Sequence, residues 1–304
     1  MPTTTNRAKN GIHSLDLSYR HRPASFVFRS LTEIESTRSE EPDDRRPHRH
    51  NYYTVIWIKK GGGTHDIDFH HYDVLPGMIF FVSPEQVHDI DLEPGPEGYV
   101  MMFTPRFLEQ SGIGPEWARQ SGLFFSCEHV EPLVIKDEKD CQQLEHLMEH
   151  IRDEFQEGGA FHDEAISAWL KLFLLSCRRI HDQVPREKTK TTGSRSPVMK
   201  QFRELLDKRF REWHKVSDYA AELHITPNYL NEVVTQETGH SAKDYIVDRI
   251  MLEARRFATL EDISAKEVSY ELGFEDPAHF SKIFKQHNGD SFSGFREAFR
   301  KKYN

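Results

Sequence analysis

The chain holds 304 residues, 29% of them charged and 37% hydrophobic, with a formal net charge of −9. At roughly 100–200 residues per domain, it is long enough for two. No run approaches the ~18 apolar residues of a membrane span. The opening MPTTTNRAKN lacks the apolar core of a secretory leader, so a cytoplasmic setting without membrane contact is expected. Cys127, Cys141 and Cys177 are odd in number and show no C-x-x-C spacing, which points away from a disulfide scaffold or a cysteine zinc site. The acidity is uneven: residues 1–197 carry 23 Lys/Arg against 31 Asp/Glu, whereas the tail from Val198 carries 17 against 18. A near-neutral tail with basic clusters at Lys200–Lys215 and Arg296–Lys302 permits phosphate contact without demonstrating it.

In chain order, residues 1–47 are polar, with an extended piece at Ser25–Phe28 and a charged loop over Ser39–Pro47. Strands are expected over Tyr52–Ile58, Ile67–Phe69, Met78–Val82 and Tyr99–Phe103, because these runs are rich in β-branched and aromatic residues. Gly61-Gly62-Gly63, Pro76-Gly77 and Pro94-Gly95-Pro96 punctuate them. Short strands at this spacing predict a small barrel or sandwich over residues 1–135. The period then changes. Leu144, Leu147, Met148, Ile151 and Phe155 recur at helical spacing, as do Ile166, Trp169, Leu170, Phe173, Leu174 and Cys177. This predicts a helical pair over 136–182, whose apolar stripe suits either plain core or a dimer surface. Residues 183–197, QVPREKTKTTGSRSP, have no apolar pattern and read as a linker.

The tail, 198–304, reads as short helices. Thr226-Pro227 places a capping hydroxyl before a proline at the first helical position, and Asp276-Pro277 repeats the arrangement 50 residues later. A shorter helix precedes each, and Ser264-Ala265-Lys266-Glu267 is a capping box. Two helix-turn-helix units are therefore expected, at about 216–237 and 264–286, bridged by a helix over 241–259. Leu230, Val233 and Val234 would face the core of the first unit, and Phe280, Ile283 and Phe284 that of the second.

Val216–Gly239 and Val268–Lys285 resemble the paired DNA-binding motifs of the AraC/XylS family. The string Gly273-Phe274-Glu275-Asp276 followed by Phe280-Ser281-Lys282 and Phe284-Lys285 is similar to the most specific part of that signature, and Gly294-Phe295-Arg296 to its ending. The resemblance implies a bacterial, sequence-specific transcription regulator whose two recognition helices enter successive major grooves of double-stranded DNA. On those helices, opposite the packing residues, lie Asn228, Asn231 and Glu232 in the first and Ala278, His279, Ser281 and Lys282 in the second. Asn can pair with adenine, Lys with guanine and Glu with cytosine, and Ala can meet a thymine methyl. Glu232 departs from the family's frequent basic or small residue. It either reads a cytosine or repels phosphate.

At the front, His48, His50, Tyr52 and Thr54 share one face of an extended chain, and a later strand ends in Pro84-Glu85-Gln86-Val87-His88. This pattern resembles the two cupin motifs, and cupin barrels are common AraC-family sensors. The implied fold is multidomain, an all-β cupin-like barrel with a helical pair, then an all-α domain with two helix-turn-helix motifs. Three histidines can in principle hold zinc or iron, but Thr54 stands where a metal-binding cupin supplies glutamate. The expectation is thus an effector site of His48, His50, Thr54 and His88 hydrogen-bonding a small polar ligand, with no metal, cofactor or catalytic residue. His65, His70 and His71 read as turn and surface residues, and Trp57, on the opposite face, as core. Expected partners are DNA, the effector, a second copy of the chain and, for an activator, RNA polymerase. The alternative is a metal-dependent cupin enzyme fused to a DNA-binding domain.

Overall fold

A computed structural model of the chain describes residues 13–19, 22–37, 47–114, 117–118, 121–124, 131–183, 196–259 and 263–303. Cys127, most of the charged loop at Ser39–Pro47 and most of the linker at 183–197 lie outside the described residues. The chain divides into two units, one holding Ile12–Pro185 and the other Arg186–Asn304.

The first unit is built on two five-stranded sheets. One runs β1 (His13–Leu15), β5 (His48–His50), β10 (His88–Leu92), β7 (Gly63–Ile67), β8 (His70–Val74) in spatial order. The other runs β12 (Leu133–Val134), β9 (Met78–Val82), β6 (Tyr53–Lys60), β11 (Glu97–Phe103), β4 (Phe26–Ser30). Ser18–Tyr19 and Arg22–Pro23, β2 and β3, form a small separate hairpin. Strand alternation decides what each side chain meets. Ile56 and Ile58 of β6 pack with Phe80, Val82 and Val100 of their own sheet and with Ile67, Tyr72 and Val74 of the other. Val55 and Trp57 point to the opposite face and join a second core.

That second core contains the helical pair, α3 (Glu138–Glu157) and α4 (His162–Gln183); two short helices, α1 (Leu31–Thr37) and α2 (Pro105–Gln110), precede them. Leu144, Met148, Ile151, Ile166, Leu170, Phe173, Leu174 and Cys177 pack against Val55, Trp57, Ile79, Phe81, Met101 and Phe103. The apolar stripe is therefore core, and the pair shares that core with the sheet instead of standing apart from it. A sheet face lined with Trp57 and Phe103 must be covered, and the helical pair, with Phe107 and Leu108 of α2, covers it.

One strand differs from expectation. The element expected over Ile67–Phe69 is β7, ending at Ile67, while Asp68 (φ 46) and Phe69 (φ 78) form the two-residue turn into β8. Such hairpin turns require positive φ at both central positions. Asp68 tolerates it because its carboxylate accepts from Gln86 Nε2 at 2.8 Å and from the Val87 amide at 3.2 Å. The glycine run is not all turn either: a Cβ on Gly63 would stand 2.1 Å from the Asp91 carbonyl oxygen, so β7 can begin there only with glycine.

The second unit contains α5 (Pro197–Arg209), α6 (Val216–Glu222), α7 (Pro227–Thr238), α8 (Ala242–Ala258), α9 (Ala265–Glu271), α10 (Pro277–Asn288) and α11 (Phe292–Tyr303). Thr226 and Asp276 cap α7 and α10 ahead of their prolines, and Ser264 with Glu267 closes the capping box of α9. An ionic hub lies on α8. Glu253 is bonded by Arg211 at 3.0 Å and Arg249 at 3.2 Å, with Arg256 at 3.4 Å, and Arg249 also reaches Asp207 of α5 at 3.1 Å. Burial by itself would raise the Glu253 carboxyl, but Arg256, Arg249 and Arg211 together pull it down to about 2. Removing one member of a buried ionic set strands the others at a cost of roughly 3–5 kcal/mol. Glu253→Ala is expected to lower the stability of the second unit by about that much, measured by urea unfolding.

Candidate functional site

The first sheet brings the histidines together through its register. His88 pairs with His48 on one side and with Ile67 on the other, and His65 stands opposite Ile90, two residues further along β10. Alternation then puts His48, His50, His65 and His88 on one buried face, with exposures of 8%, 1%, 0% and 5%. The His48 and His88 rings lie 4.4 Å apart, and those of His50 and His88 4.9 Å apart. Thr54 Oγ1 is 3.3 Å from His50 Nε2, and Tyr52 stacks on His50 at 4.1 Å. The structure therefore gathers His48, His50, Thr54 and His88. It also corrects the reading of His65 as a turn or surface residue: it is fully buried, 3.2 Å from His88. His70 and His71 are exposed on β8, and Trp57 is core. The repeat of two from His65 to Ile67 was the signal for His65, hidden because the adjacent glycines suggested that the strand began later.

The hydrogen bonds fix which nitrogen carries each proton. The Tyr52 carbonyl can only accept, so His50 Nδ1–H donates to it at 2.7 Å and His50 Nε2 keeps its lone pair. His88 Nε2–H therefore donates to His50 Nε2 at 3.0 Å, and His65 Nε2–H to His88 Nδ1 at 3.2 Å. His65 Nδ1 ends the chain, buried and without a hydrogen-bond partner among the described residues. Burial, together with neighbouring imidazoles, holds His50 and His65 down to about 3 and His88 well below the ordinary histidine value. The loop before His88 is anchored: the Ser83 amide donates to Gln86 Oε1 at 2.7 Å, and the Glu85 amide to the His50 carbonyl at 2.8 Å.

Rings held neutral in the folded state protonate first in the unfolded chain. Stability is thus complete above about pH 6.5 and is lost as pH falls toward the folded values. Each ring pushed down to about 3 removes roughly 2 kcal/mol by about pH 5. Thermal melts should show the first unit weakening between about pH 7 and 5, less steeply in His65→Phe.

In the second unit, Asn228, Asn231 and Glu232 are exposed on α7, and Ala278, His279, Ser281 and Lys282 on α10. They are not equally available. Asn231 Oδ1 accepts from the Ala242 amide at 3.0 Å, tying the recognition helix to the start of α8. Gln236 Nε2 donates to Glu232 Oε1 at 3.2 Å, and Ser281 Oγ donates to the Pro277 carbonyl at 2.8 Å. One turn further on, Thr235 and Gln236 of α7 and Lys285 and Gln286 of α10 continue the exposed faces. Tyr229 is also 47% exposed in the first turn of α7. The same helical period extended by one turn identifies these additional residues. α7 carries no lysine or arginine, whereas α10 carries Lys282 and Lys285.

Some of the basic residues of the tail are structural. Arg296 donates to the Ala258 carbonyl at 3.0 Å and to that of Ile263, and Arg209 pairs with Glu212 at 2.7 Å. The turn of the second unit is seated tightly: a Cβ on Gly273 (φ 77) would stand 1.9 Å from the Arg211 carbonyl oxygen, and His214 bonds the Leu272 carbonyl at 2.8 Å. Asn231→Ala should lower the unfolding free energy of the tail by about 1 kcal/mol through the lost cap; Asn228→Ala should leave it unchanged in the same denaturation measurement.

Comparison with known proteins follows this division. The AraC-like ligand binding domain matches residues 33–174, and a helix-turn-helix domain matches residues 219–298. The helix-turn-helix-type transcriptional regulator YfiF of Bacillus subtilis is 23% identical over 260 residues, 83% of this chain and 79% of its own. The helix-turn-helix-type transcriptional activator RhaS of Pectobacterium carotovorum is 23% identical over 272 residues, covering 86% and 90%. Among solved structures, ToxT of Vibrio cholerae aligns over 83% of this chain and 91% of its own at 14% identity, with a TM-score of 0.40. A sheet-built ligand-binding type of domain in front and paired helix-turn-helix units behind make this chain a DNA-binding transcription regulator of the AraC family, with a cupin-like N-terminal domain.

Proposed function

We propose that the chain works in the cytoplasm as an effector-responsive regulator, not an enzyme, with the effector engaging His48, His50, Thr54 and His88. The sensor then comprises residues 1–135 and the helical pair 136–182, the linker 183–197, and the DNA-binding domain 198–304. The observation that carries the DNA side is the pair of proline-started helices with polar outward faces, α7 and α10. Each suits a major groove. On α10, Lys282 approaches guanine and Ala278 a thymine methyl, flanked by His279 and Ser281. On α7, Asn228 approaches adenine and Glu232 a cytosine amine. Asn231, engaged by Ala242, orients α7 more than it reads a base. Activation, the role in the name of RhaS, would add RNA polymerase as a partner, and a homodimer is the assembly proposed.

Glu232 gives the two helices different tasks. A carboxylate facing the groove repels phosphate wherever no cytosine amine meets it, so α7 selects, while α10 with its lysines grips.

The test is selection of duplexes from a random pool by the purified chain, followed by affinity measurements across salt. Lys282→Ala is expected to cost about 1–3 kcal/mol of discrimination and to flatten the salt slope by about 1. Glu232→Gln should relax the preference at one base pair and leave the salt slope intact or steeper. Recovery of no preferred sequence would overturn the reading.

A further inference from the structure

Both recognition helices are tied to α8. Asn231 of α7 bonds the Ala242 amide at its start, and His287 Nε2 of α10 stands 2.6 Å from Asp248 Oδ1. Each of these contacts holds one unit against α8 and leaves its roll about that helix to be fixed elsewhere. A direct contact between the two halves does so, where the turn of the second unit meets residues 210–215, the segment from α5 to α6. There the Leu272 carbonyl, at the end of α9, accepts from His214 Nε2–H at 2.8 Å. Carbonyls at a helix end have no partner within the helix, and this one takes its donor from ahead of the first unit. The same ring packs on Phe274 at 4.6 Å. Phe274 in turn meets His279 and Phe280, in the first turn of α10, at 5.9 and 5.3 Å. Burial holds His214 below the ordinary histidine value. The neutral ring carries its one proton on Nε2, because a carbonyl only accepts.

The seat of Gly273 against the Arg211 carbonyl blocks closer approach but has no direction. The hydrogen bond supplies one. Direction matters because recognition helices in successive major grooves must match a repeat of about 34–36 Å along the duplex. Once one unit is docked, the other binds intramolecularly, and its gain depends on how well the joined geometry spans the two half-sites. A tie that fixes roll therefore fixes which spacing receives that gain. We propose that His214 is a positioning residue that sets the half-site spacing the chain accepts, its bond to Leu272 and its ring on Phe274 holding α10 in step with α7. This rests on α7 and α10 being the helices that read DNA, as proposed above.

The test uses the full-length chain and a duplex recovered by it from a random pool. That duplex is remade with one or two base pairs added or removed between its recognised halves, and with either half scrambled. The parent should bind the selected spacing best and lose affinity on both sides of it. His214→Phe keeps a ring against Phe274 but has no donor. It should flatten the profile, lowering affinity at the selected spacing about 2–10-fold while each single half-site binds as it does in the parent. His214→Gln, whose amide can donate to the Leu272 carbonyl, should restore the sharper profile. A merely structural role would lower affinity by one factor at every spacing and at the half-sites. That uniform loss, an unchanged profile in His214→Phe, or equal flattening in His214→Gln would each overturn the proposal. Should His214→Phe fail to fold, solvent exchange of the parent's His214 Nε2–H, followed by NMR, decides. Exchange should slow on the selected duplex and not on one lengthened by two base pairs; equal rates on both also overturn it. A parent that selects duplexes but tolerates every spacing removes this role and leaves the DNA-reading helices standing. A parent that recovers no preferred duplex removes both.

Discussion

The DNA-binding half is organised around a buried ionic cluster centred on one carboxylate. Glu253 sits among three guanidiniums contributed by the bridging helix itself and by the segment after α5. Like charges at this density repel strongly in a poorly hydrated interior, so Arg211, Arg249 and Arg256 are compatible because they share Glu253, with Asp207 taking part of the charge of Arg249. Because Arg249 reaches Asp207 and stacks on Phe210 at 3.8 Å, the same cluster also ties α5 to α8. Contacts at both ends of α8 tie the neighbouring helices to it: Asn231 of α7 at its start and Arg296 of α11 at its end.

The sensor half uses the opposite electrostatic strategy. It buries several titratable rings with no acid directly bonded to any of the ring nitrogens assigned above, and tolerates them by keeping them uncharged and bonded in series. A series of this kind has a direction, set where the Tyr52 carbonyl admits only a donor. Reversing any link requires reversing those behind it. Such a chain is sensitive to a change at one end in a way that a set of independent buried hydroxyls is not.

Much of this was legible in sequence because local chemistry dictates it. Thr226-Pro227, Asp276-Pro277 and the Ser264–Glu267 box are start signals that depend on neighbours within one turn, and the structure caps helices at all three. Alternation separated Trp57 from His50 and Thr54 correctly for the same reason. What was not legible depends on pairing. His65 joins the cluster because β10 lies between β5 and β7, an order that no local pattern states. The strand near Ile67 was displaced because Asp68 adopts positive φ with the help of Gln86, 18 residues away. Asn231 is placed on the outward face by helical geometry alone; its bond to Ala242 depends on the turn between two helices. Arg296 likewise belongs to a basic cluster in sequence, and its bond to the end of α8 depends on where α11 packs.

The close seating of Gly273 on the Arg211 carbonyl bears on how the tail acquires its structure. Those two residues belong to different halves of the domain, and the contact admits not even a methyl group between them. Neither helix-turn-helix can therefore be completed as an autonomous module and then joined loosely to the other. The second turn is completed only together with the segment before the first unit, a contact that closes a long stretch of chain. Two repeats that look alike in sequence are in this sense a single cooperative object, and damage to either half is felt by both.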